Sequence, residues 1–342
     1  MFKTKCWHIR ESIDKQVIKE ASNMLRDGLT VAFPTETVYG LGADATNEKA
    51  VQGIFQAKGR PADNPLIAHV ATIEQAKEMV DELPPIAKTL MTHFSPGPIT
   101  YILPSNGKCA TNVTAGLSTI GVRLPDHPVA QALLKECDIP IAAPSANLSG
   151  KPSPTTADHV WQDLSGKIAG LVDGGSTGVG LESTVVDCTQ DIPIILRPGG
   201  ITKEQLEQVV GNVMVDPALV HHQSSQKPKS PGMKYTHYAP AVDLWLVSGD
   251  AKRIQEIVTE QQANGKRIGV MASTETTVRL QADAIISLGS EHNLGDIAAS
   301  LYDALRTFKE GDVDLILCET FSEKGIGQAV MNRLTKAATR HI

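Results

Sequence analysis

Four cations stand where the chain must turn: Lys58 and Arg60 in Lys58-Gly59-Arg60-Pro61-Ala62-Asp63-Asn64-Pro65, Arg123 in the run Ser118 to Pro125, and Arg197 in Arg197-Pro198-Gly199-Gly200. Gly59 falls where a helix C-cap belongs and Pro61 forbids continuation, so Lys58 and Arg60 can both turn toward one anion. A helix C-terminus also attracts cations without any ligand. Arg123 lies inside an otherwise apolar strand, and a buried guanidinium needs an anionic or acceptor partner. That partner could be a protein carboxylate, a substrate carboxylate or a phosphate. His69 sits next to the end of the apolar run Leu66 to Val70, where a histidine is either packed or positioned for chemistry.

Hydroxyl and amide side chains surround these cations. Phe33-Pro34-Thr35-Glu36-Thr37-Val38-Tyr39-Gly40-Leu41-Gly42 leaves the apolar run Leu29 to Phe33 and reads as a strand-end loop, with a helix starting near Asn47. In open α/β sheets such loops bind ligands. Ala143-Pro144-Ser145-Ala146-Asn147-Leu148-Ser149-Gly150, continuing to Thr155, places groups suited to sugar hydroxyls and phosphate oxygens after another apolar run. Ser145 is not in G-x-S-x-G, so a covalent serine is the poorer reading. The glycine-rich stretch Asp173 to Thr184 could cradle phosphate through its amides, but it lacks the lysine of a Walker A loop. Four cations at loop junctions of an acidic chain suggest one pocket for a polyanion such as a nucleoside triphosphate.

The elements that must position these groups follow from periodicity. Helical spacing covers Ile13 to Arg26 and ends at Asp27-Gly28. Strands are expected at 29–33, 66–70, 99–103, 120–124, 139–142, 168–172, 185–187 and 192–196, with helices at 48–57, 73–79, 84–94, 128–137, 156–164 and 203–210. This alternation predicts an α/β layer fold. From Asp216 the chain turns polar and proline-flanked, which reads as a linker. A second, shorter alternation over 243–339 predicts a small Rossmann-like α/β domain, without the G-x-G-x-x-G of a dinucleotide binder. The expected organisation is a catalytic domain over 1–212, a linker over 213–240 and a C-terminal domain over 241–342.

Composition limits the function classes. A chain of 342 residues with 41% hydrophobic and 20% charged residues is expected to form two globular domains. A net charge of −6 and only 4% aromatics weigh against a broad nucleic-acid surface or a base-stacking platform. The first residues lack the apolar core of a signal peptide, and no apolar stretch is long enough to span a membrane. Five scattered cysteines without C-x-x-C suit a reducing, cytoplasmic location. No H-E-x-x-H or paired Cys/His spacing is present, so no dedicated metal site is expected.

The Phe33–Gly42 motif, the Lys58-x-Arg60-Pro61 corner, Ala143-Pro144-Ser145-Ala146-Asn147-x-Ser149-Gly150 and Glu182-Ser183-Thr184-Val185-Val186-Asp187 together closely resemble the YrdC-like family. Ser230-Pro231-Gly232-Met233-x-Tyr235-x-His237-Tyr238-Ala239-Pro240 resembles the linker of its two-domain branch, the L-threonylcarbamoyladenylate synthases. The resemblance spans nearly the whole chain. It implies a twisted open-sheet catalytic domain with a concave, positively charged cleft, followed by a smaller Rossmann-like domain. The implied reaction joins L-threonine, bicarbonate and ATP into threonylcarbamoyl-AMP and pyrophosphate, which feeds threonylcarbamoyladenosine formation in tRNA.

By family position, Lys58, Arg60, Ser145 and Asn147 form a catalytic tetrad, with Lys58 and Arg60 near the phosphates. Thr35, His69, Arg123 and Ser183 would hold L-threonine. Asn64, Thr119, Ser153 and Arg197 would join Lys58, Arg60 and Ser145 in holding the nucleotide, with Tyr235 reaching it from a linker that acts as a lid. Mg²⁺ would arrive with ATP, ligated largely by water and phosphate. The implied partners are the downstream tRNA threonylcarbamoyl-transferase proteins, with weak RNA binding open and no membrane. One rival is carbamoyl chemistry of the hydrogenase-maturation kind, whose acylphosphatase and zinc-finger regions this chain lacks. The other is a non-catalytic double-stranded RNA or tRNA binding module, which the acidic charge weakens.

Overall fold

The computed structural model describes residues 3–9, 12–221, 238–309 and 311–342. It divides into two compact units, Met1–Ser149 with Ser153–Tyr235, and Gly150–Pro152 with Thr236–Ile342. Among the described residues, the first unit is built on eleven strands: β1 Lys5–His8, β2 Val31–Phe33, β3 Gly40–Asp44, β4 Ile67–His69, β5 Ile99–Pro104, β6 Thr119–Arg123, β7 Ile141–Ala142, β8 Gly170–Asp173, β9 Thr184–Asp187, β10 Ile194–Arg197 and β11 Met214–Val215. They form one mixed sheet in the order β1-β8-β2-β3-β7-β4-β6-β5-β9-β10-β11.

The stretch after β2 departs from the sequence reading. It does not run from strand to helix; it turns back as β3, antiparallel to β2, with Phe33 opposite Gly40 and Val31 opposite Gly42. The helix follows only then, over Glu48–Lys58, with Asn47 capping it through its side chain. Gly-Leu-Gly-Ala-Asp has little intrinsic strand preference, which hid β3. Its glycine is needed for packing, because a β-carbon on Gly42 would lie 2.8 Å from both Phe33 Cε1 and Ile141 Cγ2.

Side-chain alternation sorts the central strands. Ala68, Val122, Tyr101 and Val186 enter the main core, with Ile54 and Phe55 of helix Glu48–Lys58, Leu90 and Met91 of Pro85–Phe94, and Leu206 of Lys203–Val210. A second core holds Trp7, Val31, Phe33 and Val172 under the helices Lys15–Arg26 and Pro128–Cys137. The intervening positions of β4, β5 and β6 present Ile67, His69, Thr100, Ile102, Thr119, Gly121 and Arg123 on the face opposite the main core. That face carries the polar side chains.

The second unit holds β12 Leu244–Val247, β13 Ile268–Ala272, β14 Ala284–Ser287, β15 Leu315–Glu319 and β16 Arg340–His341, in the order β14-β13-β15-β12-β16. Every pairing is parallel. Helices Ala251–Ala263, Leu294–Thr307 and Gly327–Ala337 connect them, which makes the unit Rossmann-like. The expected linker begins as ordered chain: β11 and a helical turn Ala218–His221 lie within 213–240. Tyr235 and the lid assigned to this segment lie outside the described residues. Among the described residues, no helix is long and apolar enough to cross a membrane.

Candidate active site

The Lys58 corner is drawn together by one buried ammonium. Helix Glu48–Lys58 ends on Gly59, whose φ of 60° is the left-handed conformation that glycine adopts without strain. Lys58, the last helical residue, is buried and donates through Nζ to the carbonyl oxygens of Ser145 (2.5 Å) and Asn147 (2.6 Å). Ser145 Oγ donates to Asn147 Oδ1 at 2.6 Å, which also lies 3.4 Å from Lys58 Nζ. The backbone joins in, with Ser149 N donating to the Lys58 carbonyl at 2.9 Å. Three of the four expected catalytic residues thus form one knot, although 87 residues separate Lys58 from Ser145.

Arg60, the fourth, is half-buried and donates through Nη2 toward the carbonyls of Asn64 (3.2 Å) and Pro65 (3.4 Å). Asn64 itself is buried, and neither atom of its carboxamide has a hydrogen-bond partner. An unpaired buried polar group costs about 1–3 kcal/mol, so a ligand that pairs with this carboxamide recovers that cost.

Two of the expected amino-acid residues meet where β4 and β6 pair, and Thr35 precedes the partner of one of them. His69 and Arg123 are direct neighbours in the parallel register. Burial, aided by the positive charge of Arg123, pushes the His69 imidazole down to about 3, so it is neutral near pH 7. Phe33 packs edge-on against the imidazole, 6.4 Å between ring centres. Arg123 has a protein carboxylate as its partner: its Nη2 lies 2.6 Å from Glu36 Oε1. Thr35, next to Glu36, accepts from the Thr37 and Val38 amides and donates to the Val38 carbonyl at 2.7 Å, which sets the turn. Thr119 starts the strand that Arg123 ends, on the same face and four residues away, or about 13 Å at roughly 3.3 Å per residue.

Ser183 and Arg197 form a second buried knot. Arg197 donates through Nε and Nη2 to the Ser183 carbonyl (3.0 and 2.9 Å), and through Nη2 to Ser183 Oγ at 3.1 Å. Thr100 Oγ1 lies 2.7 Å from the same Oγ. Arg197 therefore positions Ser183, beyond the nucleotide-binding part expected of it. Ser153 donates to Glu182 Oε1 at 2.5 Å, which ties an expected nucleotide residue to the loop that carries Ser183.

The glycine-rich loop 173–184 directs its amides inward. Gly174 N donates to Tyr39 Oη, Gly175 N to Asp173, Thr177 N to the Thr155 carbonyl and Val179 N to the Glu36 carbonyl. The bonds of Gly174 and Val179 dock the loop on the 35–39 turn, and that of Thr177 ties it to the stretch that follows Ser145 and Asn147. Sequence reasoning missed Glu36, Glu182 and Thr100. Both glutamates lie inside recognised motifs, but their partners are 87 and 29 residues away, a separation that local spacing does not encode. Among the described residues, no group of three or more His, Cys, Asp or Glu side chains could hold a metal ion.

Residues 23–199 match the Sua5, YciO and YrdC family, described as telomere recombination. Residues 201–339 match a family described as threonylcarbamoyl-AMP synthase, C-terminal domain. The chain is 53% identical to a threonylcarbamoyl-AMP synthase of Bacillus subtilis, over 98% of each protein. It is 46% identical to that of Pyrococcus abyssi, over 97% of this chain and 96% of the relative. The crystal structure of Pyrococcus abyssi Sua5 complexed with L-threonine superposes with a TM-score of 0.94 at 45% identity, covering 99% of this chain and 100% of that one. With both family matches in order along one chain and full-length relatives of one name, the chain belongs to the two-domain threonylcarbamoyl-AMP synthases.

Proposed function

We infer that this protein makes L-threonylcarbamoyl-AMP and pyrophosphate from L-threonine, bicarbonate and ATP. One observation carries the reading: two buried cations, Lys58 and Arg123, serve separate polar clusters, one gathered on the Ser145–Asn147 loop and one beside a neutral imidazole. A carboxylate and a polyphosphate can then be held at the same time. The relative crystallised with L-threonine supports that amino acid as the substrate.

In this reading the L-threonine carboxylate engages Arg123, with Thr35, His69 and Ser183 around it. The nucleotide lies along Thr119, Asn64, Ser153 and the Lys58–Ser145–Asn147 knot. The L-threonine nitrogen attacks the bicarbonate carbon and water leaves, giving a carbamate. A carbamate oxygen then forms a bond to the α-phosphorus of ATP, and the bond to the bridging oxygen breaks as pyrophosphate departs. Attacker and centre are both anionic, so Lys58 and Arg60 lower the barrier by offsetting their repulsion. Mg²⁺ enters as part of the ATP substrate.

His69, with an imidazole held to about 3, is too weak a base to retain a proton from an ammonium and serves as a hydrogen-bonding wall. Arg197 acts through Ser183. The product is a labile mixed anhydride, consistent with hand-over to proteins that transfer threonylcarbamoyl to tRNA in the cytoplasm, with any direct RNA contact weak.

The test is pyrophosphate release by the full chain. Release should require ATP, L-threonine and bicarbonate together. Release without L-threonine and bicarbonate, or no release combined with salt-sensitive tRNA binding, defeats the synthase reading and favours an RNA-binding module.

A further inference from the structure

Glu36 holds the amino-acid end of the site without any part in the scheme above. Its Oε1 contacts Arg123 Nη2 at 2.6 Å, while its Oε2 and the Arg123 Nε are both buried without hydrogen-bond partners. The fold locks this arrangement from three sides. Thr35 sets the turn that carries residue 36, Val179 N donates to the Glu36 carbonyl at 2.8 Å, and β6 fixes Arg123 beside His69. The two orphaned atoms are therefore one charged acceptor and one charged donor, held within a single ion pair. Left dry and unpaired, each is costly, and a ligand with the complementary pair relieves both.

An α-amino acid is such a ligand. Its carboxylate and ammonium are attached to one carbon and lie a few ångströms apart. Resting on the synthase reading, we propose that Glu36 is the ammonium-binding residue of the amino-acid site and that, with Arg123, it selects the α-amino acid zwitterion. Before substrate arrives, Glu36 neutralises Arg123, so a lone anion such as bicarbonate or phosphate finds no net positive charge there. An α-hydroxy acid can use the guanidinium but brings no cation to Glu36 Oε2, so two carboxylates then share one guanidinium. Discrimination at this end thus comes from a charge that goes unpaired with the wrong ligand.

The experiment is calorimetric titration of the full chain with L-threonine, with 2,3-dihydroxybutanoate (the same skeleton with hydroxyl in place of ammonium), and with ATP. Wild type should bind L-threonine at least about tenfold more tightly than the hydroxy acid. Glu36→Gln should weaken L-threonine by about 10- to 100-fold and leave ATP and the hydroxy acid within threefold. Glu36→Asp should recover part of the loss, and melting curves report whether each variant folds. Equal wild-type affinities for the two acids overturn the proposal. So does a Gln variant that binds L-threonine normally, or one that loses both acids by the same factor, which would make Glu36 only a support for Arg123. A wild type that ignores L-threonine altogether refutes the underlying synthase reading, a result distinct from those three.

Discussion

Lys58→Met removes the ammonium that gathers the 143–149 loop and keeps a side chain of similar length. The ammonium is donor to two carbonyls, of Ser145 at 2.5 Å and Asn147 at 2.6 Å, and the residue is 3% exposed. Stripping both acceptors of their donor costs about 1–3 kcal/mol each, and releasing a buried charge from its desolvation penalty returns part of this. A net loss of about 1–3 kcal/mol is expected, or roughly 2–12 °C in melting temperature at about 2–4 °C per kcal/mol for a domain of this size. Catalysis should suffer more, because a fixed cation beside developing phosphate charge is worth about 100- to 1,000-fold in kcat. The assays are thermal melting and pyrophosphate release per folded molecule, at saturating ATP and L-threonine. Unchanged melting would refute the argument from the knot. Lower melting with kcat per folded molecule within threefold of wild type would show that the ammonium only organises the loop, refuting its placement at the phosphates.

Two further outcomes follow from the same geometry. His69 has an ordinary value of 6.5 and is held at about 3 when folded, so between these limits the unfolded chain binds the proton that the native state does not. Its contribution to stability is complete above about pH 6.5 and declines toward pH 3, by at most about 1.4 kcal/mol per pH unit. His69→Gln should flatten this acid limb in urea midpoints measured from pH 4 to 7, and an identical slope would disprove the assignment. Gly199→Ala should destabilise the first unit by about 1–3 kcal/mol or more, since its β-carbon would lie 2.3 Å from Thr184 N and 2.4 Å from the Glu182 carbonyl oxygen, backbone atoms that cannot rotate away. The displaced segment carries Ser183, so L-threonine affinity measured by calorimetry should fall as well; a variant that melts and binds like wild type defeats this account.

Elements with strong local signals were legible in advance. Helix Glu48–Lys58 announced itself through Asn47 at its start and Gly59 at its end, and β15, Leu315–Glu319, through an unbroken apolar run. β3 was not legible, because one of its two glycines, Gly42, serves the close approach of Phe33 and Ile141, a contact with no periodic trace. β1 was missed because an edge strand of four residues, half exposed, carries too short a pattern. In the site, the types of Lys58, Ser145, Asn147 and Arg123 could be chosen from the chain, whereas Glu36 as the partner of Arg123 could not.

The chain's order of residues determined the α/β class and which cations and hydroxyls sit at the ends of apolar runs, because helix caps, side-chain periodicity and turn residues act over a few positions. Which of those groups touch was decided by strand register. Pairing Ile67 with Gly121 set His69 beside Arg123, and the antiparallel return of β3 brought the Thr35–Tyr39 turn against the glycine-rich loop. Register depends on packing between segments tens of residues apart, so the ion pair of Glu36 with Arg123 exists only in three dimensions.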